Sequence, residues 1–99
     1  MKFPMMLAFV LAAFPVCAGA QDSAIARSLA ATCANCHGTN GRSSGGIAPL
    51  AGMAKAEMVR KLSEFRSGVK PATIMHQLAK GYSEQQIELI AGYFAAQTR

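Results

Sequence analysis

The chain has 99 residues, 52% of them hydrophobic, with ten Lys and Arg against five Asp and Glu for a formal net charge of +5 at pH 7. A chain of this length forms one domain at most and buries too little apolar surface to rely on its core alone, so a covalent or ligand-based brace is expected. Of its three cysteines, Cys33 and Cys36 sit only three positions apart, too close together to cross-link distant parts of the chain.

Residues 1–20, MKFPMMLAFVLAAFPVCAGA, open with one positive charge at Lys2, continue as an apolar run and end in small residues, the pattern of a secretory signal peptide. Ala18 and Ala20 place the expected cut before Gln21, which removes Cys17 with the leader. Cys17 as a lipid-bearing first residue would need small residues before it, where the chain has Phe14, Pro15 and Val16. The apolar run falls short of the ~20 residues of a membrane span, so no stable membrane insertion is expected after cleavage, and an uncleaved leader would act as a tether. The mature domain, residues 21–99, then carries nine basic and five acidic residues, a net charge of +4.

Asp22 or Ser23 is placed to cap a first helix that carries Ile25, Ala26, Leu29, Ala30 and Cys33 on neighbouring inner positions. From 38 to 52, GTNGRSSGGIAPLAG holds five glycines and one proline without an apolar period, which predicts a long loop, and one of functional length for so small a domain. A second helix over AKAEMVRKLSEFRSG aligns Met58, Leu62, Phe65 and Val69, turns Glu57, Arg60, Lys61 and Glu64 outward, and stops at Gly68. Pro71 suits the first position of a short third helix, PATIMHQLAKG, closed by Gly81. In the fourth helix Ser83 and Gln86 spell a capping box, Tyr82 and Ile87 a hydrophobic staple, and Ile87, Ile90, Ala91 and Phe94 a buried stripe with Tyr93 beside it. No segment alternates at period two. The expected fold class is all-α, with four short helices around a long loop.

The first helix ends in Cys33-Ala-Asn-Cys36-His37. A closed zinc site would need two more ligands, and adjacent Cys36 and His37 rarely serve one tetrahedron. A reactive dithiol expects flanking strands and a thiol at a helix N-terminus, and a local disulfide between Cys33 and Cys36 suits export but braces nothing. The pattern is also a c-type haem attachment signal. Two thiols three apart on one helical turn face the same side, so each can add to one vinyl group along a haem edge, and His37 is carried beneath the ring to bind iron. This is the favoured reading, because the macrocycle supplies the missing brace; without it the chain is expected to be largely unfolded or molten.

The far face of the iron decides function, since a strong sixth ligand makes an electron carrier and an open face permits gas binding or catalysis. Met53, Met58, Met75 and His76 are the candidates. Met58 also fits the core stripe of the second helix, Met53 ends the loop beside Gly52, and His76 equally suits a hydrogen-bonded role. Met75 shares helical spacing with Ile74 and Leu78, yet lies far enough from His37 to return over the opposite face. Spacing alone puts Met75 only modestly ahead.

From about 31 to 97 the sequence resembles the class I monohaem cytochromes c. CANCHGTNG is shared with small cytochromes of the c4 and c553 types, whereas TIMHQLAKGYSEQQIELIAGYFAAQ closely resembles the cytochrome subunit of flavocytochrome c sulfide dehydrogenase. The resemblance implies one covalent haem c on Cys33 and Cys36, with His37 as proximal and Met75 as distal iron ligand, because the methionine of that TIM fills this role in the family. It also implies that Pro49, twelve residues after His37, offers its carbonyl to the His37 ring, and that Tyr93 and Phe94 pack on the first helix. The function implied is periplasmic electron transfer by a protein that is not itself an enzyme. It would accept electrons one at a time from an FAD-containing sulfide dehydrogenase and pass them to other redox carriers. Several relatives of that subunit carry two haem domains in tandem, whereas this chain has a single Cys-x-x-Cys-His.

Two other functions compete. One is a freely diffusing shuttle to a terminal oxidase or reductase. The other is a haem enzyme or gas sensor with an open distal face, but helical-bundle cytochromes of the c-prime type carry the motif near the C-terminus, and here it follows the first mature helix. Lys55, Arg60, Lys61, Arg66, Lys70 and Lys80 make the central chain basic. Most suit a solvated face, and some could steer an acidic partner. Nucleic acid is not an expected partner, since no aromatic platform or recognition motif accompanies these charges.

Overall fold

The computed structural model describes Ala13 and residues 18–99, with side chains in the latter from residue 22 onward. Lys2 and Cys17 of the expected leader lie outside the described residues. Four α-helices follow one another, α1 Ala18–His37, α2 Lys55–Ser67, α3 Met75–Lys80 and α4 Glu84–Ala95, with one turn of 3-10 helix at Thr39–Gly41. No strand occurs among the described residues, so the all-α class holds.

Helix α1 begins at Ala18, earlier than expected, and encloses Asp22 and Ser23 instead of being capped by them. An Asx or Ser cap forms where the chain must leave the helix, and here helical backbone simply continues upstream through small residues. Ala26 and Ala30 are buried and Leu29 and Cys33 partly so, but Ile25 is 49% exposed. The line of Ala26, Ala30 and Cys33 faces the core, and Ile25 falls one position round the helix from it.

Helix α2 ends as expected at Gly68, which takes φ 83° and donates its N–H to Phe65 O at 3.1 Å. That left-handed step favours glycine. Of the expected stripe, Met58 is 3% exposed and Leu62 and Phe65 are half-buried, while Val69, beyond the stop, is 77% exposed. Glu57–Lys61 and Arg60–Glu64 pair along the outer face at 3.2 and 2.9 Å.

Pro71 does not begin α3, which starts four residues later at Met75. In a helix begun at Pro71, the Ile74 N–H would bond the Lys70 carbonyl. That carbonyl instead accepts from the ring Nε2–H of His76, so the segment before Met75 stays irregular. Helix α4 forms as its local sequence dictates. Ser83 Oγ accepts from Gln86 N–H at 3.1 Å, Gln86 Oε1 accepts from Ser83 N–H at 2.9 Å, and Ile87, Ile90, Ala91 and Phe94 are all buried.

The core joins Ala30, Met58, Ile90, Ala91 and Phe94, with α1 and α2 both packed on α4 and α3 packed on α2. Phe94 is completely buried, a contribution of about 1.5–3 kcal/mol for a side chain of this kind. The expected long loop is irregular but stitched down. Gly41 O accepts from Leu50 N–H at 2.8 Å and Ala51 N–H at 3.1 Å, and Gly52 N–H donates to Phe94 O at 2.9 Å. Gly41 has φ 78°, and a Cβ there would lie 2.8 Å from Phe94 Cδ1 and 2.9 Å from both Ala51 N and Leu50 Cβ. The loop can therefore lie on Phe94 only because residue 41 has no side chain.

Candidate cofactor site

The last turn of α1 presents Cys33, Cys36 and His37, and Gly38, at φ 88°, turns the chain away immediately afterwards. Both cysteines are unbridged, Cys33 partly buried and Cys36 exposed. Burial pushes the Cys33 thiol above its ordinary pKa, with a backbone hydrogen bond partly opposing the shift. A thiol so raised stays neutral at pH 7, which suits an apolar wall.

His37 Nδ1 lies 2.6 Å from the backbone oxygen of Ala48. A carbonyl can only accept, so Nδ1 carries the proton and Nε2 keeps its lone pair for a metal. The acceptor is one residue earlier than the Pro49 carbonyl expected from the sequence. Proline restricts the residue before it to extended backbone, so Pro49 acts by aiming Ala48.

These residues open onto a cleft of about 360 Å³, inside the ~300–1,000 Å³ range of small-molecule sites. Cys33, Cys36 and His37 line one part of it, and Met75, Leu78 and Tyr82 line another. Ile47, Leu50, Leu62, Phe65 and Ile74 add further apolar wall, with Lys61 and Lys70 as the charged lining residues. The structure thus brings all four expected site residues, Cys33, Cys36, His37 and Met75, to a single cavity. Met53 and Met58 reach it too, but Met58 is built into the core and Met53 packs against it, whereas Met75 is half-buried and belongs to no core cluster. His76 is not on the lining, and its Nε2–H is engaged by Lys70 O.

An apolar cleft with two free thiols and an imidazole of fixed tautomer on one wall fits a flat macrocycle attached through sulfur. It does not fit a bare ion, since among the described residues no three His, Cys, Asp or Glu side chains gather to hold one. A second cavity of about 380 Å³, lined by Arg42, Pro49, Met53, Glu57 and Arg99 among others, has comparable volume but neither thiol nor imidazole. Chemistry, not size, selects the first.

Sequence reasoning missed one polar support of the site. Tyr93 OH donates to Asn40 Oδ1 at 2.6 Å, joining α4 to the turn that follows His37. Asn40 sits at φ 54°, and its place between Thr39 and Gly41 was the local sign of a left-handed step. Its partner, 53 positions away, has no such sign. Tyr93 also meets Phe94 edge-on, with ring centres 5.3 Å apart.

Comparison with known proteins bears on what the cleft holds. Residues 23–97 match the family model described as Cytochrome c. The chain is 41% identical over 66 residues to the cytochrome subunit of sulfide dehydrogenase from Chlorobaculum tepidum, covering 67% of this chain and 60% of that protein. It is 32% identical over 82 residues to cytochrome c-554(548) of Halomonas halodenitrificans, covering 79% of this chain and 99% of the relative. It is also 32% identical over 69 residues to a thiosulfate dehydrogenase electron acceptor of Stutzerimonas stutzeri, covering 68% of this chain but only 32% of the relative. The match therefore spans less than two thirds of the length of the first and third of these proteins. With three quarters of its residues inside the family match and with the thiols, imidazole and apolar cleft in place, the chain belongs to the cytochrome c family, as an electron-transfer c-type cytochrome domain that binds haem c covalently.

Proposed function

We propose that this chain is an exported, periplasmic cytochrome that holds one haem c through Cys33 and Cys36, ligated by His37 and Met75, and accepts electrons from a flavoprotein sulfide dehydrogenase. Residues 1–20 would serve as the cleaved signal peptide and residues 21–99 as the mature domain. One observation carries the ligand assignment: His37, its proton committed to Ala48 O, and Met75, the cleft methionine outside the packed core, line the same cavity.

Bound haem c supplies a one-electron ferrous–ferric couple. The chain's own residues set its conditions. Ala48 O holds the His37 ring in place and raises the basicity of Nε2. The soft Met75 thioether, as a ligand, would favour the ferrous state relative to a second imidazole and would leave no open position for a substrate. Leu62 and Phe65 give the cleft apolar, half-buried wall, and Lys70 places positive charge on it for an acidic partner. Similarity to the sulfide dehydrogenase subunit supports the flavoprotein as donor. Similarity to the thiosulfate dehydrogenase electron acceptor favours, as the second reading, a diffusing shuttle that serves another dehydrogenase.

Two measurements test this. The reduced holoprotein should bind carbon monoxide slowly and incompletely at neutral pH; rapid stoichiometric binding would defeat the closed-iron reading. Purification of the protein from periplasm should bring down a flavin-containing subunit, and its recovery as a free monohaem species would favour the shuttle.

A further inference from the structure

A side-chain hydrogen bond ties the first turn of α3 back to the segment that follows α2. His76 follows Met75 in the chain, and its ring Nε2–H donates to the backbone carbonyl of Lys70, six residues back. Lys70 is in turn fixed to α2, because its N–H donates to Glu64 O at 3.2 Å and its Nζ stands 5.7 Å from the centre of the Phe65 ring. The His76 ring meets the same Phe65 at 6.3 Å between centroids, tilted by 56°. Residues 70–76 are thereby closed into a loop clamped to the last turns of α2, with Met75 as its penultimate member.

The body of α3 packs on α2 and buries Ala79, but the first turn that carries Met75 is less firmly held. Helix α3 has six residues and no side-chain cap at Ile74, and Ile74 is itself 58% exposed. A helix this short has no stability of its own. The place of its first residue therefore depends on the anchoring of the segment before it, to which His76 contributes the side-chain hydrogen bond on Lys70 O.

We infer that His76 is a positioning residue for Met75: its hydrogen bond to Lys70 O, backed by packing on Phe65, holds the methionine in the cleft wall against competing iron ligands. This rests on Met75 being the distal ligand. An external ligand must first find Met75 displaced, so its apparent affinity reports the fraction of molecules in which the loop has opened. Removing one hydrogen bond of ordinary net strength enlarges that fraction by roughly two- to tenfold.

The test is an optical titration of the oxidised holoprotein with imidazole at pH 7. His76→Phe keeps a ring against Phe65 and removes the donor; His76→Gln keeps an N–H at about the reach of Nε2. Imidazole should bind His76→Phe about two- to tenfold more tightly than the wild type, and His76→Gln should restore most of the difference. In a Met75→Ala background, where nothing remains to be displaced, His76→Phe should add no further change. Should His76→Phe yield too little holoprotein, His76→Leu removes the same donor with less bulk. Unchanged affinity in the donor-less variant overturns the inference, as does equal tightening in His76→Gln or the same gain in the Met75→Ala background. The ligand reading fails separately: if Met75→Ala retains the weak far-red sulfur-to-iron absorption of the oxidised protein, Met75 is not the ligand, whereas loss of that band with no effect of His76 sinks the positioning role alone.

Discussion

Gly41→Ala should be among the most damaging single-methyl changes in the loop, and its cost can be separated into two parts by its neighbours. At Gly68, φ is 83° and a Cβ would meet nothing within 4 Å, so Gly68→Ala registers the left-handed backbone alone, about 1–2 kcal/mol. At Gly41 a similar φ of 78° is joined by approaches of 2.8–2.9 Å to Phe94 Cδ1, Ala51 N and Leu50 Cβ. Phe94 is completely buried and Ala51 N is held by Gly41 O, so neither can yield cheaply. Overpacking of that kind adds about 1–3 kcal/mol, and the two parts together come to about 3 kcal/mol. Gly45→Ala is the control, with neither positive φ nor a neighbour within 4 Å. It should be neutral, or stabilising by about 0.4–1 kcal/mol through the unfolded chain. Urea unfolding of the three holoproteins, followed by far-ultraviolet circular dichroism, reads the order directly. With a slope of about 1–1.5 kcal/mol per molar urea for so small a domain, the midpoint should fall by roughly 2–3 M for Gly41→Ala and by about 1 M for Gly68→Ala. Equal losses at 41 and 68 would refute the steric part of the reasoning.

The methionines should divide by role. Met58→Ala opens a cavity in the core and should cost about 2–5 kcal/mol in chemical denaturation while leaving the far-red absorption of the oxidised protein intact; Met75→Ala should abolish that band, and Met53→Ala should keep it. Ser83→Ala removes half of the capping box and should cost about 1 kcal/mol, seen as a fall in Tm of roughly 4–8 °C in calorimetry. Tyr93→Phe leaves Asn40 Oδ1 without its donor and should cost about 1 kcal/mol in the same experiment, with the far-red band unchanged.

What could be read from the sequence was what short-range physics decides. The capping box at Ser83 and Gln86 needs only residues three apart, and the stripe of α4 needs only a helical period, and both formed as expected. The gathering of Cys33, Cys36 and His37 on one turn follows from their spacing; the arrival of Met75 at the same cleft followed from family resemblance, not from periodicity. Failures occurred where a partner lay outside the local window. Pro71 satisfies every local condition for a helix start, but the carbonyl that would take the first bond is captured by a side chain six residues on. Ile25 lies one position round α1 from the buried line and Val69 lies past the Gly68 stop, so both are exposed although a helical period admits them. The one-residue error between Pro49 and Ala48 has the same origin, because a count of residues does not reveal which carbonyl a loop turns inward.

The docking of α1 on α4 makes the earliest and latest helices of the domain each other's main support. During synthesis, α1 emerges long before the surface of α4 that will cover its buried face exists. Closing this contact spans almost the whole domain, so α1 cannot complete its packing until residue 95 has been delivered.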